Sequence, residues 1–133
     1  MAVAVDVPVI VYDIPGRSIV RVNDSTLAKL AADHGNISGI KDATADLARP
    51  TILQNLLGNG FTQLSGEDAT ALPYLAAGGH GCISVTANIA PKLLSDMHSA
   101  WWAGDMTTAQ AIHKKLLPLH EACLLYTSPS PRD

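Results

Sequence analysis

The sequence predicts an α/β fold in which parallel strands alternate with helices. Four short runs that contain apolar and β-branched residues recur along the chain, and each is followed by a stretch with the spacing of an amphipathic helix. This order is typical of right-handed crossover connections. Two architectures fit it: a doubly wound open sheet and part of a (β/α)8 barrel. Because a complete barrel needs about 250 residues, the 133 residues of this chain would supply only part of one.

The first predicted strand covers residues 7–12, a run apolar enough to suit a parallel strand covered on both faces. Pro15 and Gly16 end this run. The next segment, Asn23-Asp24-Ser25, offers N-cap side chains for a helix. The residues expected on the inner side of that helix are Leu27, Leu30, Ala31 and His34.

The second predicted strand covers residues 37–41. A helix is expected to follow from about Leu47, with Pro50 tolerated in its first turn. The inward residues of this helix are predicted to be Ile52, Leu53, Leu56 and Leu57. The third predicted strand covers residues 61–65, after which Asp68 can cap a helix that Gly78 and Gly79 end.

The fourth predicted strand covers residues 81–85. Pro91 opens a helix and Asp105 caps another. Their inward residues are predicted to be Leu93, Leu94, Met97 and Trp101, then Ala109, Ile112, Leu116 and Leu119. Residues 1–123 form the predicted domain, and residues 124–133 form a tail whose Pro- and Ser-rich composition cannot continue the helix. We interpret the tail as disordered or as foreign to the natural protein.

The composition argues against several classes of partner. The net charge of −3 and the pI of 5.9 predict no nucleic-acid surface. No membrane segment is expected, since no window holds eighteen consecutive apolar residues, and the apolar N-terminus lacks the features of a signal peptide. Cys82 and Cys123 are far apart in sequence and are interpreted as free thiols in a reducing cytoplasm.

Polar residues stand where three of the predicted strands end: Tyr12, Lys41 and Ser65. Reactive groups of parallel α/β folds gather at this edge of the sheet. A lysine at the edge of an apolar cavity is partly removed from water, which lowers its pKa. Its neutral amine can then attack a ketone to form an imine. The alternative for Lys41 is a solvated strand-end lysine, which is the common case.

Tyr12 could relay protons near such an imine, or it could simply pack at the rim with its hydroxyl satisfied by backbone. Arg17 lies in the loop that follows the same strand, where its planar fork suits a substrate carboxylate. A surface ion pair is the alternative for Arg17. No metal site is predicted, because the five histidines show no metal-ligand spacing.

Four segments in register resemble the dihydrodipicolinate synthase family, within the superfamily of pyruvate-dependent Schiff-base lyases. They are residues 11–18 (VYDIPGRS), 39–44 (GIKDAT), 64–68 (LSGED) and 79–88 (GHGCISVTAN). The resemblance implies a (β/α)8 TIM barrel, with this chain covering about its second half, strands five to eight, plus the start of a C-terminal helical segment. Asp13 stands where asparagine is common in the family, and Gly16 where serine is common.

The resemblance also implies roles for individual residues. Lys41 would form the imine with pyruvate, Tyr12 would relay protons, Arg17 would bind the carboxylate of L-aspartate 4-semialdehyde, and the backbone of Ile83 would contact pyruvate. The product would be 4-hydroxy-tetrahydrodipicolinate, for lysine and diaminopimelate synthesis, and no cofactor is implied. The full-length parent would be a cytoplasmic homo-oligomer.

Two alternatives remain open. The first is another pyruvate aldolase of the superfamily, such as a sialic-acid or sugar-acid lyase. The second is a non-catalytic fragment, because the family's pyruvate-binding threonine motif and a second tyrosine lie in an N-terminal half that is absent here. We expect little or no activity from this chain alone.

Overall fold

A computed structural model of the chain describes residues 2–125 and contains one four-stranded sheet. All neighbouring strands pair in parallel, and their order in the sheet follows their order in the sequence. The strands are β1 (Val9–Asp13), β2 (Ile37–Asp42), β3 (Thr62–Ser65) and β4 (Gly81–Cys82). The predicted alternation of strand and helix is therefore confirmed.

Within residues 2–125, six α-helices and two short 3-10 turns, Ala2–Ala4 and Thr86–Asn88, accompany the sheet. The helices are α1 (Pro15–Ser18), α2 (Asp24–Asp33), α3 (Arg49–Leu57), α4 (Ala71–Ala76), α5 (Pro91–Trp102) and α6 (Met106–Leu125). Among residues 2–125, none of the helices combines the length and apolar character needed to cross a membrane. The predicted tail from residue 124 begins inside α6, and its residues 126–133 lie outside the described part of the chain.

The chain divides into two compact units, Met1–Ile83 and Ser84–Asp133. The first unit contains the sheet and α1 to α4, and its core lies between the sheet and helices α2 and α3. That core consists of Leu27, Ile37, Ile40, Leu53 and Phe61. In the second unit α5 packs against α6, and its buried apolar residues include Leu94, Met97, Ala109 and Leu116.

Strand β1 is covered on one face only, which corrects the prediction of two covered faces. Val9 and Val11 pack against the core beneath α2 and α3. Ile10 and Tyr12 alternate with them, and 38% and 48% of their surfaces are exposed. Within the first unit, helices α2 and α3 cover one face of the sheet, and successive strand residues point to opposite faces.

Helix α3 turns only part of the predicted face inward, since Leu53 is buried and Leu57 packs against the core as expected. Arg49, Pro50 and Leu53 are buried. Ile52 and Leu56, which were expected inside, are 42% and 53% exposed. Both sets satisfy helical spacing, so the pattern alone could not choose between adjacent stripes of the same helix.

Other element ends differ in detail from the predictions. Strand β4 spans two residues instead of five, because the chain turns into the 3-10 segment Thr86–Asn88. Thr70, not Asp68, occupies the N-cap position of α4. Helix α2 ends at Asp33, so the predicted His34 lies just beyond it. The capping role of Asp105 is confirmed, since the backbone N–H of Thr108 donates to its Oδ1 at 3.0 Å.

Two leucines of α3 provide a test of which face is buried. Leu53 is fully buried in the core of the first unit, whereas Leu56 is 53% exposed. We expect Leu53→Ala to lower the free energy of unfolding by about 2–5 kcal/mol, through lost burial and a residual cavity. The matched Leu56→Ala is expected to change it by no more than about 0.5 kcal/mol. Urea denaturation of both variants checks this, and equal losses would contradict the observed orientation of α3.

Candidate active site

Tyr12 and Lys41 are direct neighbours in the pairing of β1 with β2. The side-chain nitrogen Nζ of Lys41 lies 4.1 Å from the centroid of the Tyr12 ring. Partners in register point to the same face of a sheet, and this face is the one opposite helices α2 and α3. A cation at this distance over an aromatic face is attracted by the ring quadrupole. The structure thus brings together two of the predicted site residues and orients the amine against the ring.

Gly66 provides the space that the Lys41 side chain occupies. A Cβ atom at Gly66 would lie 3.1 Å from Cε and 3.3 Å from Cγ of Lys41, and 2.9 Å from Cβ of Ala43. The backbone N–H of Gly66 also donates to the carbonyl of Asp42 at 2.6 Å. The loop after β3 can therefore run directly against Lys41, and any side chain at residue 66 would press on it.

Behind the two site residues, on the helix-covered face, lies a buried cluster of charges. Its centre is the fully buried guanidinium of Arg49, the first residue of α3. Nη1 of Arg49 donates to Oδ2 of Asp13 at 2.6 Å and to Oδ1 of Asp42 at 3.3 Å. Nε donates to Oδ1 of Asp24 at 2.8 Å, and Nη2 to the carbonyl of Val22 at 2.8 Å.

The charge state of Arg49 follows from its neighbours. Burial acts to lower its pKa, but the hydrogen bond to Asp13 and the charges of Asp42 and Asp24 outweigh it, so the pKa is raised. Arg49 therefore remains a cation in the interior of the first unit. The sequence-based reasoning missed this cluster. The sequence did contain a feature that could have predicted it: Tyr12 and Lys41 are each followed directly by an aspartate, which a strand would place on the opposite face of the sheet.

Ser65, the third polar strand end, does not share a face with Lys41. It pairs in register with Asp42, on the helix-covered side of the sheet. Its Oγ donates to the carbonyl of Glu67 at 2.9 Å and accepts from the N–H of Glu67 at 3.1 Å. Ser65 thus ends β3 as predicted and shapes the loop that carries Gly66, but it lies on the opposite face of the sheet from Lys41.

Cys82, at the end of β4, is the other nucleophilic side chain near this edge of the sheet. Burial and the charge of Asp68 raise its pKa to about 12. Its thiol lies 3.8 Å from Oδ1 of Asp68. The thiol is therefore protonated at neutral pH and a poor nucleophile.

Arg17 and Ile83 are the two remaining predicted site residues. Arg17 lies exposed on α1, and within residues 2–125 its guanidinium forms no ion pair. The N–H of Ile83 donates to the carbonyl of Ser65 at 2.8 Å. The N–H of Ile83 is therefore already used within the first unit. Its side chain is 44% exposed.

The glycine-rich segment before β4 has a structural role. Gly78 adopts a positive φ of 107°, and a Cβ at Gly79 would overlap the ring of Tyr74. Nδ1 of His80 accepts a hydrogen bond from the N–H of Gln63 at 3.0 Å. In the part of the chain that is described, no group of three or more His, Cys, Asp or Glu side chains is arranged to hold a metal ion.

Comparison with known proteins connects these residues to a family. The sequence profile of the dihydrodipicolinate synthetase family matches residues 1–132. A protein of Acidiphilium cryptum named 4-hydroxy-tetrahydrodipicolinate synthase is 54% identical over 131 residues, which are 98% of this chain and 44% of that protein. A protein of the same name from Rhodospirillum centenum is 52% identical over 128 residues, covering 96% of this chain and 44% of its own length. The chain thus spans less than half of these relatives.

Solved structures show the same correspondence. The crystal structure of dihydrodipicolinate synthase from Aquifex aeolicus is 36% identical, superposes with a TM-score of 0.91 and covers 96% of this chain and 44% of its own. The 4-hydroxy-tetrahydrodipicolinate synthase of Methylacidiphilum fumariolicum SolV is 33% identical with a TM-score of 0.92, and covers 98% of this chain and 44% of its own. The prediction of a partial (β/α)8 barrel is confirmed.

Proposed function

The chain belongs to the dihydrodipicolinate synthetase family, and from that premise we propose that it carries the imine-forming part of a lyase that condenses pyruvate with L-aspartate 4-semialdehyde. The observation that carries the proposal is the contact between Lys41 and Tyr12, with Nζ 4.1 Å from the ring centroid. Because the chain spans only 44% of its relatives, we assign the complete reaction to a full-length parent.

In this mechanism the neutral amine of Lys41 attacks the keto carbon of pyruvate, and water leaves to give an imine. The imine draws electrons from the adjacent methyl carbon, which loses a proton and becomes the nucleophilic carbon of an enamine. That carbon attacks the aldehyde carbon of the semialdehyde, and the aldehyde oxygen takes up a proton. The amino group of the former semialdehyde then attacks the imine carbon, which closes the ring and releases the lysine.

Each of these steps moves a proton, and we assign the phenol of Tyr12 the role of carrying it. Its ring packs against the amine of Lys41, and Tyr12 remains 48% exposed on the open face of the sheet. A hydroxyl that exchanges protons near the reacting atoms typically contributes to the rate as a general acid and base. Gly66 supports the arrangement by leaving room for the Lys41 methylenes.

Arg17 and Ile83 complete the proposal as substrate-binding groups. An exposed guanidinium without an ion pair in the described residues can bind a carboxylate through two parallel hydrogen bonds. We assign it the carboxylate of the semialdehyde, and we assign the carbonyl of Ile83 a contact with pyruvate.

The open face of the sheet supports a requirement for further chain. Ile10 and Tyr12 are 38% and 48% exposed on the face where a complete barrel would be closed. We therefore propose low activity for this chain alone and a homo-oligomeric, cytoplasmic parent that makes 4-hydroxy-tetrahydrodipicolinate for lysine and diaminopimelate synthesis. In the reducing cytoplasm the free thiols Cys82 and Cys123 would stay reduced.

Reductive trapping tests the central step. The chain is incubated with pyruvate and cyanoborohydride, digested, and its peptides are analysed by mass spectrometry. We expect one reduced pyruvate adduct on the peptide that contains Lys41 and none on Lys29, an exposed lysine of α2. Labelling spread over several exposed lysines, or no labelling, would contradict a selectively reactive amine at residue 41.

A further inference from the structure

We propose that Arg49 is a positioning residue for Lys41 and Tyr12, and that it acts by holding together the ends of β1 and β2 through the buried carboxylates of Asp13 and Asp42. The catalytic consequence of this inference rests on the proposed function, since only an imine mechanism makes the Lys41–Tyr12 geometry chemically important. The positioning itself can be measured without any reaction.

The covalent connection between cluster and site is as short as the chain allows. Asp13 directly follows Tyr12, and Asp42 directly follows Lys41. Tyr12 pairs with Lys41 in the sheet, and Asp13 pairs with Asp42. Because neighbouring strand residues point to opposite faces, Arg49 binds on one face the two aspartates that directly follow the residues presenting the amine and the phenol on the other face.

One nitrogen of Arg49 binds both carboxylates. Nη1 of Arg49 lies 2.6 Å from Oδ2 of Asp13 and 3.3 Å from Oδ1 of Asp42. The separation of the two carboxylates is therefore fixed by one planar, rigid group. All three side chains are buried, with exposed fractions of 0%, 1% and 2%, so water does not compete for these hydrogen bonds.

The same carboxylates also organise the loops that follow the two strands. Oδ1 of Asp42 accepts hydrogen bonds from the N–H of Thr44 at 2.9 Å and from its hydroxyl at 2.7 Å. Oδ1 of Asp13 accepts from the N–H of Val22 at 3.2 Å. One backbone hydrogen bond also joins the two strand ends, since the N–H of Ala43 donates to the carbonyl of Asp13 at 2.9 Å. The cluster thus fixes both strand ends and the turns that leave them.

A contribution to the stability of the fold does not by itself explain why a buried arginine stands at residue 49. Arg49 is the first residue of α3, where the helix dipole disfavours a positive charge. Apolar side chains of similar volume often stabilise a fold as much as a buried ion pair or more, because removing the charges of the pair from water costs free energy. What an apolar residue cannot supply is a directional link between two specific carboxylates.

The test uses the ring-current shift that the Tyr12 ring imposes on the Lys41 side chain. In the unmodified chain the ε-methylene signal of Lys41, assigned by its loss in Lys41→Arg, is expected upfield of the signal of the exposed Lys92. In Arg49→Met this upfield shift is expected to be lost. In Arg49→Lys, whose ammonium lacks the planar fork, it is expected to be reduced. Arg21→Met removes an exposed ion pair with Asp46 and serves as the matched control, with the shift unchanged.

Dispersed amide signals establish that each variant is folded. A folded Arg49→Met that keeps the full upfield shift overturns the inference. If Arg49→Met does not fold, Arg49→Lys provides the test. An unchanged ring-current shift of Lys41 in that variant overturns the inference, and a reduced shift supports it. Failure of pyruvate to label Lys41 in the unmodified chain would count against the proposed function and leave the positioning result intact.

Discussion

Replacing Lys41 with arginine is expected to abolish the condensation of pyruvate with L-aspartate 4-semialdehyde. Arginine keeps the positive charge and the length of the side chain, but it cannot be deprotonated in a protein and so offers no nucleophilic amine. Removing a covalent nucleophile costs other enzymes several orders of magnitude in kcat. We expect a loss of about 10⁴-fold or more by the same reasoning.

The measurement needs a complete barrel, because this chain spans 44% of its Acidiphilium cryptum relative. A chimera in which residues 2–125 replace the matching segment of that relative supplies the remainder. The matched control is Lys29→Arg, the same substitution at an exposed position of α2, and its kcat should equal that of the unmodified chimera. Substantial turnover in Lys41→Arg would refute the imine mechanism, and turnover of sugar-acid substrates alone would favour another aldolase of the superfamily.

The fold could be predicted from the sequence where local signals agree. Residues 7–12 are apolar and rich in β-branched side chains, residues 37–41 hold two isoleucines beside a turn, and strands β1 and β2 lie within one or two residues of those limits. The inward face of α3 could be predicted only in part, because Ile52 and Leu56, which are exposed, satisfy helical spacing as well as Leu53 and Leu57, which face the core. Which stripe is buried depends on where α3 sits on the sheet, and this is a tertiary property that a periodic pattern does not contain.

The candidate site could likewise be predicted from the sequence only in part. The pairing of Tyr12 with Lys41 follows from their positions at the ends of successive parallel strands, and the structure confirms it. The role of Gly66 could not be predicted, since it depends on distances to atoms of Lys41 that only the packed structure fixes. The contact of Arg49 with Asp13 joins residues 36 positions apart, and a charged residue near a helix start is ordinarily expected in solvent.

Replacing Tyr12 with phenylalanine is expected to lower kcat of the chimera by about 10²- to 10⁴-fold, the usual contribution of a positioned general acid or base. The substitution is informative because it keeps the aromatic face. Phenylalanine still attracts a cation, so the contact with Nζ of Lys41 should persist and the ring-current shift of Lys41 should remain. A loss of rate with that shift retained would therefore be due to the missing hydroxyl. The KM for pyruvate should change little, because the hydroxyl is proposed to act on protons in transit rather than on bound substrate.

Tyr74→Phe is the matched control, since Tyr74 lies buried in α4 and its hydroxyl finds no hydrogen-bond partner within residues 2–125. Burial and the charge of Asp42 raise the pKa of Tyr74, so its phenol stays protonated and takes no part in proton transfer. Removing an unpaired buried hydroxyl costs no hydrogen bond, so kcat should be unchanged in this variant. If Tyr12→Phe were equally active, the ring of Tyr12 would be a packing surface for Lys41 and the proton relay would have to lie elsewhere. A loss confined to Tyr12→Phe would instead separate the two functions of this residue, with the ring orienting the amine and the hydroxyl carrying protons.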